Sequence, residues 1–310
     1  MKWIVPERYP DFRCIAGDCR HSCCIGWEID IDPESLKRFQ NIPGALGERL
    51  RQNIDIGQEG ACFRLQGQEE RCPFLNSDGL CDLILELDED ALCQICTDHP
   101  RFRSFFSDRT EIGLGLCCEA AGKLLLGSEE PMRLIILEDD GEEASPDPFE
   151  QELLDTRSAL FALMQDRSLP VCTRAEQLLP AGEIEWPAWA DFLLTLERLD
   201  ERWAQLLRLL PQTPAHPLSP ALEIPLEQLM FCLLYRHLPG TLEDGDVNGR
   251  IRFAALMWHM IVRLCMHLNV CNVEGLAELA RLYSSEIEYS DENTCAILDR
   301  IALAMAQHKG

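Results

Sequence analysis

Positive charge is in short supply in this chain. Against 53 aspartates and glutamates stand 28 lysines and arginines, a formal net charge of −25. Nucleic-acid backbones are held by Lys and Arg on phosphates, so that class of partner is excluded. The surplus of carboxylates favours solubility and a basic partner. Long apolar runs are missing too. The longest, residues 253–268, is interrupted by His259, Arg263 and His267, short of the ~20 uninterrupted residues of a membrane span. The opening MKWIVPERYP has no apolar signal core and meets Pro6 early. The expectation is a cytoplasmic protein that contacts no membrane. A GxGxxG loop after a strand and a P-loop lysine motif are also absent. The Cys-x3-Cys-x2-Cys run of radical enzymes is begun by Cys19 and Cys23, but Gly26 stands in its third place. Neither a standard nucleotide fold nor standard radical chemistry is written here, and no internal repeat or low-complexity tract occurs.

Cysteine is what the chain has in excess. Of 16 in 310 residues, eleven precede residue 119. The stretch DFRCIAGDCRHSCCIGWEIDID, residues 11–32, holds Cys14, Cys19, Cys23 and Cys24 within eleven positions. Cys72 and Cys81 flank a Ser77-Asp78-Gly79 turn that brings them towards each other. Cys93 and Cys96 form a third group, Cys117 and Cys118 a fourth. In a reducing compartment, clustered thiols point to a metal or cluster before disulfides. A closed zinc site calls for two CxxC-like pairs, and only Cys93/Cys96 has that spacing. Iron–sulfur clusters accept irregular spacing, because the thiolates reach different irons. Zinc stays open as the alternative. Cys62, Cys172, Cys232, Cys265, Cys271 and Cys295 read as small core residues.

Composition, 46% hydrophobic and 26% charged, suits a globular protein with a sizeable core. Residues 1–128 read as a Cys-rich cluster-binding module. Residues 129–148 read as an acidic linker, with Glu138-Asp139-Asp140, Glu142-Glu143, Pro146 and Pro148, and a short strand at 134–137. Residues 149–310 read as a helical domain, with helices over 149–166, 186–210, 225–238, 250–269, 273–284 and 291–307. Asp32-Pro33-Glu34 signals a capped helix start, and residues 61–66 an extended run. The fold class is mainly α: a Cys-rich N-terminal module packed on a C-terminal helical domain. Asp30 and Asp32 read as caps or solvated groups rather than pocket residues. Trp27 reads as core. The stripe His259, Arg263, His267 reads as internally paired or solvated. Tyr235 and Arg236 do not stand out, and the residues by themselves assign no catalytic or cofactor-binding role.

Several of these segments resemble the flagellin lysine-N-methylase family. DFRCIAGDCRHSCCIGWEIDID resembles its opening, and RCPFLNSDGLCDL its Cys-Pro-Phe-Leu…Leu-Cys segment. ALCQICTDHPRF resembles its Leu-x3-Cys-x2-Tyr-Pro-Arg segment, and LGLCCEAAGKLLL its Ser-Cys-Pro-Glu-Ala-Ala helix. LYSSEIEYS resembles a Ser-Arg-x-Ile-Glu-His-Ser stretch. The likeness runs in order over most of the chain, and its first three segments also resemble a broader group of zinc- or iron-chelating CxxCxxCC proteins. Carried over, the family thiols fall on Cys14, Cys19, Cys23, Cys24, Cys72, Cys81, Cys96 and Cys117. Cys93 and Cys118 fall outside the set, which makes the 93/96 spacing a coincidence on this reading. His99, Cys118, Ser285 and Tyr289 depart from the family residues. The resemblance implies a 4Fe-4S cluster, S-adenosylmethionine as methyl donor, and flagellin or another lysine-bearing protein as acceptor. The alternative is a non-catalytic metal-binding or redox-sensing protein of the CxxCxxCC type.

Overall fold

The computed structural model describes residues 1–58, 60–141 and 144–307. Its strands are β1 (Lys2–Pro6), β2 (Asp30–Ile31), β3 (Ile54–Ile56), β4 (Ala61–Phe63), β5 (Arg101–Phe105), β6 (Arg109–Leu114) and β7 (Leu134–Asp139). The chain divides into two compact units, Arg13–Arg101 and a second built from Met1–Phe12 with Phe102–Gly310. This differs from the division expected at residue 128. Residues 102–128 belong with the helices because β6 pairs in parallel with β1.

The Arg13–Arg101 unit is small and loop-rich. An antiparallel sheet of order β2-β4-β3 lies with four short helices, Pro33–Asn41, Gly44–Gln52, Asp82–Leu87 and Gln94–Asp98. The first starts as its sequence dictates. Asp32 accepts from the Ser35 amide at 2.9 Å and Pro33 occupies the first turn, satisfying an orphan donor while Pro forfeits none. Ile29, Ile31, Phe39, Leu50, Phe63, Phe74 and Leu83 form its core, with Cys72 and Cys93 among them.

In the other unit the stretch expected to be an acidic linker is largely structural. Residues 134–139 form β7, an edge strand antiparallel to β1 in a sheet of order β5-β6-β1-β7. Pairing with β1 carries the strand through Glu138 and Asp139, which lie opposite Trp3 and Lys2. Glu142 and Glu143 lie outside the described residues. The expected helix over 186–210 is two, Trp186–Leu193 and Glu201–Leu207. The break has a cause: the Leu199 and Asp200 amides donate to the buried carboxylate of Glu286, at 3.0 and 2.7 Å. The helix Val247–Leu268 is long and apolar enough to cross a membrane by length and composition alone. Phe253, Met257, Trp258, Ile261 and Leu264 on it are fully buried, and it packs on helices Glu223–His237, Val273–Tyr283 and Asp291–Gln307. That is what a core helix does. Its polar stripe is internally satisfied at two positions: His259 meets the Leu179 carbonyl at 2.9 Å, and Arg263 donates to those of Leu210 and Gln212.

Sheet and helices of this unit are joined through buried polar groups. Arg157 donates twice to Glu111 of β6, at 2.6 and 2.7 Å, and both are under 5% exposed. The Tyr235 hydroxyl donates to the carbonyls of Ile4 and Ile112, at 3.3 Å each. Breaking one side of a buried pair leaves an uncompensated charge. Arg157→Met is therefore expected to cost about 3–5 kcal/mol in a denaturant titration, whereas the double replacement E111L/R157M recovers most of it. Equal losses in single and double variants would show that the pair does not tie the sheet.

Candidate functional site

In the Arg13–Arg101 unit, three separate segments bring cysteines into one hydrophobic cluster. The first is positioned by an extended pairing: the Cys72 amide donates to the Cys24 carbonyl at 2.8 Å. The second is closed by the anticipated turn. Asn76 Oδ1 accepts from the amides of Asp78 and Leu80, both at 3.0 Å, Gly79 takes a φ of +74°, and Leu75 bridges to Cys81. The third begins at Cys93, the residue before helix Gln94–Asp98. Asp32 Oδ2 accepts from the Gln94 amide at 2.9 Å, so Asp32 caps one helix and anchors a second. With those amides donating to it, despite a desolvation that opposes the shift, its carboxyl is lowered to about 2.

The thiols of Cys24, Cys72, Cys81, Cys93 and Cys96 lie close enough to act on one another's ionisation. Cys93 is fully buried, and its sulfur stands 3.3 Å from that of Cys96. That is a thiol hydrogen bond and well beyond the ~2.05 Å of a disulfide; all sixteen cysteines are free. The shared proton lowers Cys93 and raises Cys96. Hydrogen bonding from Cys23 first, then Ser22 and the charge of Arg71, holds Cys24 near 7 against the burial that opposes it. Burial first, then the neighbouring sulfurs, pushes Cys72 up to about 12. Desolvation lowers half-buried His99 to about 4, so its imidazole stays neutral beside Trp27, ring centroids 5.9 Å apart. Trp27 is half-buried rather than core, and Asp30 is exposed.

The family-type set and this cluster overlap without coinciding. Cys93, expected to stand outside, is inside; its CxxC spacing is the available signal. Cys14 is exposed and its sulfur accepts from the Ala16 amide at 3.3 Å. Cys19 is half-buried, and exposed Cys23 reaches the group through Cys24. Cys117 belongs to the other unit. Soft, desolvated sulfurs from separate segments suit iron or zinc by donor type. Among the described residues, no three His, Cys, Asp or Glu side chains are grouped so that they could hold a metal ion.

A second polar constellation, unforeseen from sequence, lies in the helical unit. Helix Val273–Tyr283 runs into a π-helical turn, Ser284–Glu288, a geometry that often marks functional sites. The turn buries Glu288, whose carboxylate meets His237 Nε2 at 2.9 Å and accepts from Ser284 Oγ at 2.5 Å. The Tyr283 hydroxyl lies 3.3 Å from the same imidazole nitrogen. Burial alone would raise Glu288, but the Arg236 charge and the His237 and Ser284 hydrogen bonds hold it near 2. Tyr289 hydrogen-bonds Cys117, whose thiol burial pushes up to about 12. Residues of two family-like segments, Cys117 and Glu288, thus meet around Arg236. Tyr235-Arg236-His237 is visible in the sequence as a polar trio, but nothing there says that it faces inward. Elsewhere in this unit a cavity of about 380 Å³ is lined by Leu179, Ile184, Trp189, Leu256 and Ile301 among others, and its Arg252 and Glu183 pair with each other at 3.1 Å.

Comparison with curated proteins finds likeness to lysine-N-methylases. The Salmonella choleraesuis protein is 25% identical over 181 residues, 52% of this chain and 45% of that protein. The Salmonella typhimurium protein is 25% identical over 175 residues, 50% of this chain and 44% of that protein. The flagellar biosynthetic protein FliU of Salmonella muenchen is 26% identical over 134 residues, 42% of this chain and 79% of that protein. The chain spans under half the length of the two methylases it matches. No family model and no solved structure matches.

Glu288 gives a pH signature. Its carboxyl lies at about 2 in the fold against an ordinary 4.5, so its stabilisation is complete above pH 5 and is lost as pH falls from 4.5 towards 2. That loss should be on the order of 3 kcal/mol, read by denaturation at a series of pH values. Glu288→Gln should flatten the profile in that window; an unchanged profile would contradict the assignment.

Proposed function

We propose that this chain carries out S-adenosylmethionine-dependent N-methylation of protein lysines, with flagellin or a flagellin-like protein as acceptor, and that its Cys-rich unit holds a 4Fe-4S cluster. The observation that supports the reading is that Cys24, Cys72, Cys81, Cys93 and Cys96 share one hydrophobic cluster, in a chain whose relatives are named lysine-N-methylases. Cys24, Cys72, Cys81, Cys93 and Cys96 are the candidates to hold the cluster, which takes at most four of them. Cys14, Cys19, Cys23 and Cys117 supply the remaining family-type thiols. A cluster held by four thiolates acts on local charge and fold, whereas one held by three leaves an iron able to take a substrate group.

Methyl transfer from a sulfonium to an amine is an in-line displacement and asks for positioning and a route for one proton. The lysine must arrive neutral. Carboxylates beside it would raise its pKa and oppose this, so the chain's −25 acts at long range, steering a basic segment inward, while the amine itself sits where carboxylates are few. Work in the cytoplasm goes with this reading. One observation favours a second, a redox-sensing dithiol protein: the 3.3 Å approach of Cys93 and Cys96.

Anaerobic purification separates the two. We expect coloured protein with roughly four iron and four sulfide per chain, loss of both in Cys72→Ala and Cys96→Ala, and transfer of labelled methyl to lysines of added flagellin. Acceptor affinity should fall as salt rises. Iron and sulfide without affinity for S-adenosylmethionine would favour the redox reading, and colourless zinc protein would remove the cluster.

A further inference from the structure

The four-stranded sheet is open along β7. In the order β5-β6-β1-β7 this is the last strand, and among the described residues the backbone of Leu134–Asp139 hydrogen-bonds to β1 alone. Its outer amides and carbonyls form a row with which another extended chain can pair. Ile135, Ile136 and Leu137 are exposed, as is Trp3 on the neighbouring β1, and Ile136 is 54% exposed. Apolar side chains so placed on an edge invite pairing unless charge guards them or something covers them. Charge stands at one end. Glu138 and Asp139 are exposed and, among the described residues, in no ion pair, whereas Asp140 is paired with the N-terminal amine. Leu137 is an extra residue between the pairs Ile136–Ile4 and Glu138–Trp3, a bulge that bends the edge there. Bulge and carboxylates discourage pairing with a second copy, which carries the same −25. The same carboxylates attract a segment of opposite charge.

We infer that the free edge of β7 docks an extended, lysine-bearing segment of the protein acceptor, which adds to this sheet as a fifth strand. The identity of the partner rests on the methyl-transfer reading; the edge and its charge do not. Backbone pairing along 134–139 gives affinity without regard to sequence, and apolar side chains of the segment cover Ile135, Ile136 and Leu137. Lysines opposite Glu138 and Asp139 set its register. Lysines held there stay charged, because carboxylates raise their pKa. The amine that is methylated therefore lies elsewhere along the acceptor, and this edge positions the chain without touching the reacting atoms.

The probe is a ten-residue peptide alternating lysine and valine, added to the full chain purified anaerobically. Hydrogen exchange read by mass spectrometry should show the peptide slowing exchange over residues 134–139. The same peptide with every backbone amide N-methylated keeps its charges but has no N–H to give, and it should bind at least about tenfold more weakly. Glu138→Lys combined with Asp139→Asn should weaken the unmodified peptide by about tenfold at low salt and raise KM for flagellin with kcat little changed. Both side chains are exposed, so the variant should fold; the N-methylated peptide leaves the protein untouched and serves if it does not. Peptide bound without slowing at 134–139, equal affinity for the two peptides, or a variant that methylates flagellin with unchanged KM would overturn the docking edge and leave the methyl-transfer reading standing. Slowing at 134–139 that grows with the protein's own concentration would overturn it in favour of a second copy. Strand addition by the peptide in a protein that methylates no lysine would overturn the methyl-transfer reading and uphold the edge as a site for a basic segment.

Discussion

Sulfurs that ionise together repel. Two thiolates 3.3 Å apart oppose each other by about 5 kcal/mol at an effective dielectric constant near 20, and the spacing is that of Cys93 and Cys96. The pocket answers by sharing protons: Cys93 and Cys24 are drawn towards ionisation, while Cys96 and Cys72 are driven the other way. Such a group is stable either protonated or around a cation. A fold that needed only small apolar residues at Cys72 and Cys93 could have used Ala or Val without this electrostatic conflict. The gathering of thiols is therefore the constraint around which the small unit is built, and Asp32, the Asn76 turn and the Cys24–Cys72 pairing serve it.

The helical unit solves a similar problem with opposite charges. Glu286, Glu288, Glu111 and Glu227 are all nearly inaccessible, and each has specific donors: the 199–200 amides, His237 with Ser284, Arg157, and Arg174 with Arg167. Buried carboxylates persist when so satisfied.

Much of this is legible in the amino-acid sequence. Asp32-Pro33 names a helix start, Ser77-Asp78-Gly79 names the turn between Cys72 and Cys81, and the helical run from residue 148 appears with most of its ends within a few residues. Local signals suffice because those elements are fixed by caps, proline and periodicity. What escapes depends on partners distant in the chain. The break at 199–200 is set by Glu286, more than eighty residues on. The full strand at 134–139 is set by pairing with β1 at the other end of the sequence. The family pattern leaves Cys93 out, although its spacing from Cys96 brings the two sulfurs to 3.3 Å. Arg236, His237 and Glu288 look ordinary because a polar residue near a helix end carries no mark of facing inward; only the π-turn, invisible to a 3.6-residue period, turns Glu288 into the core.

Whether the five pocket sulfurs share one inorganic centre is most directly read by differential alkylation with mass spectrometry, comparing metal-loaded protein with folded, metal-depleted protein. If they do, Cys24, Cys72, Cys81, Cys93 and Cys96 are protected together when loaded and gain label together on depletion, while exposed Cys271 and Cys295 label alike in both. Equal labelling of the five in the two states, or recovery of Cys93 and Cys96 as a disulfide from the loaded protein, would contradict it.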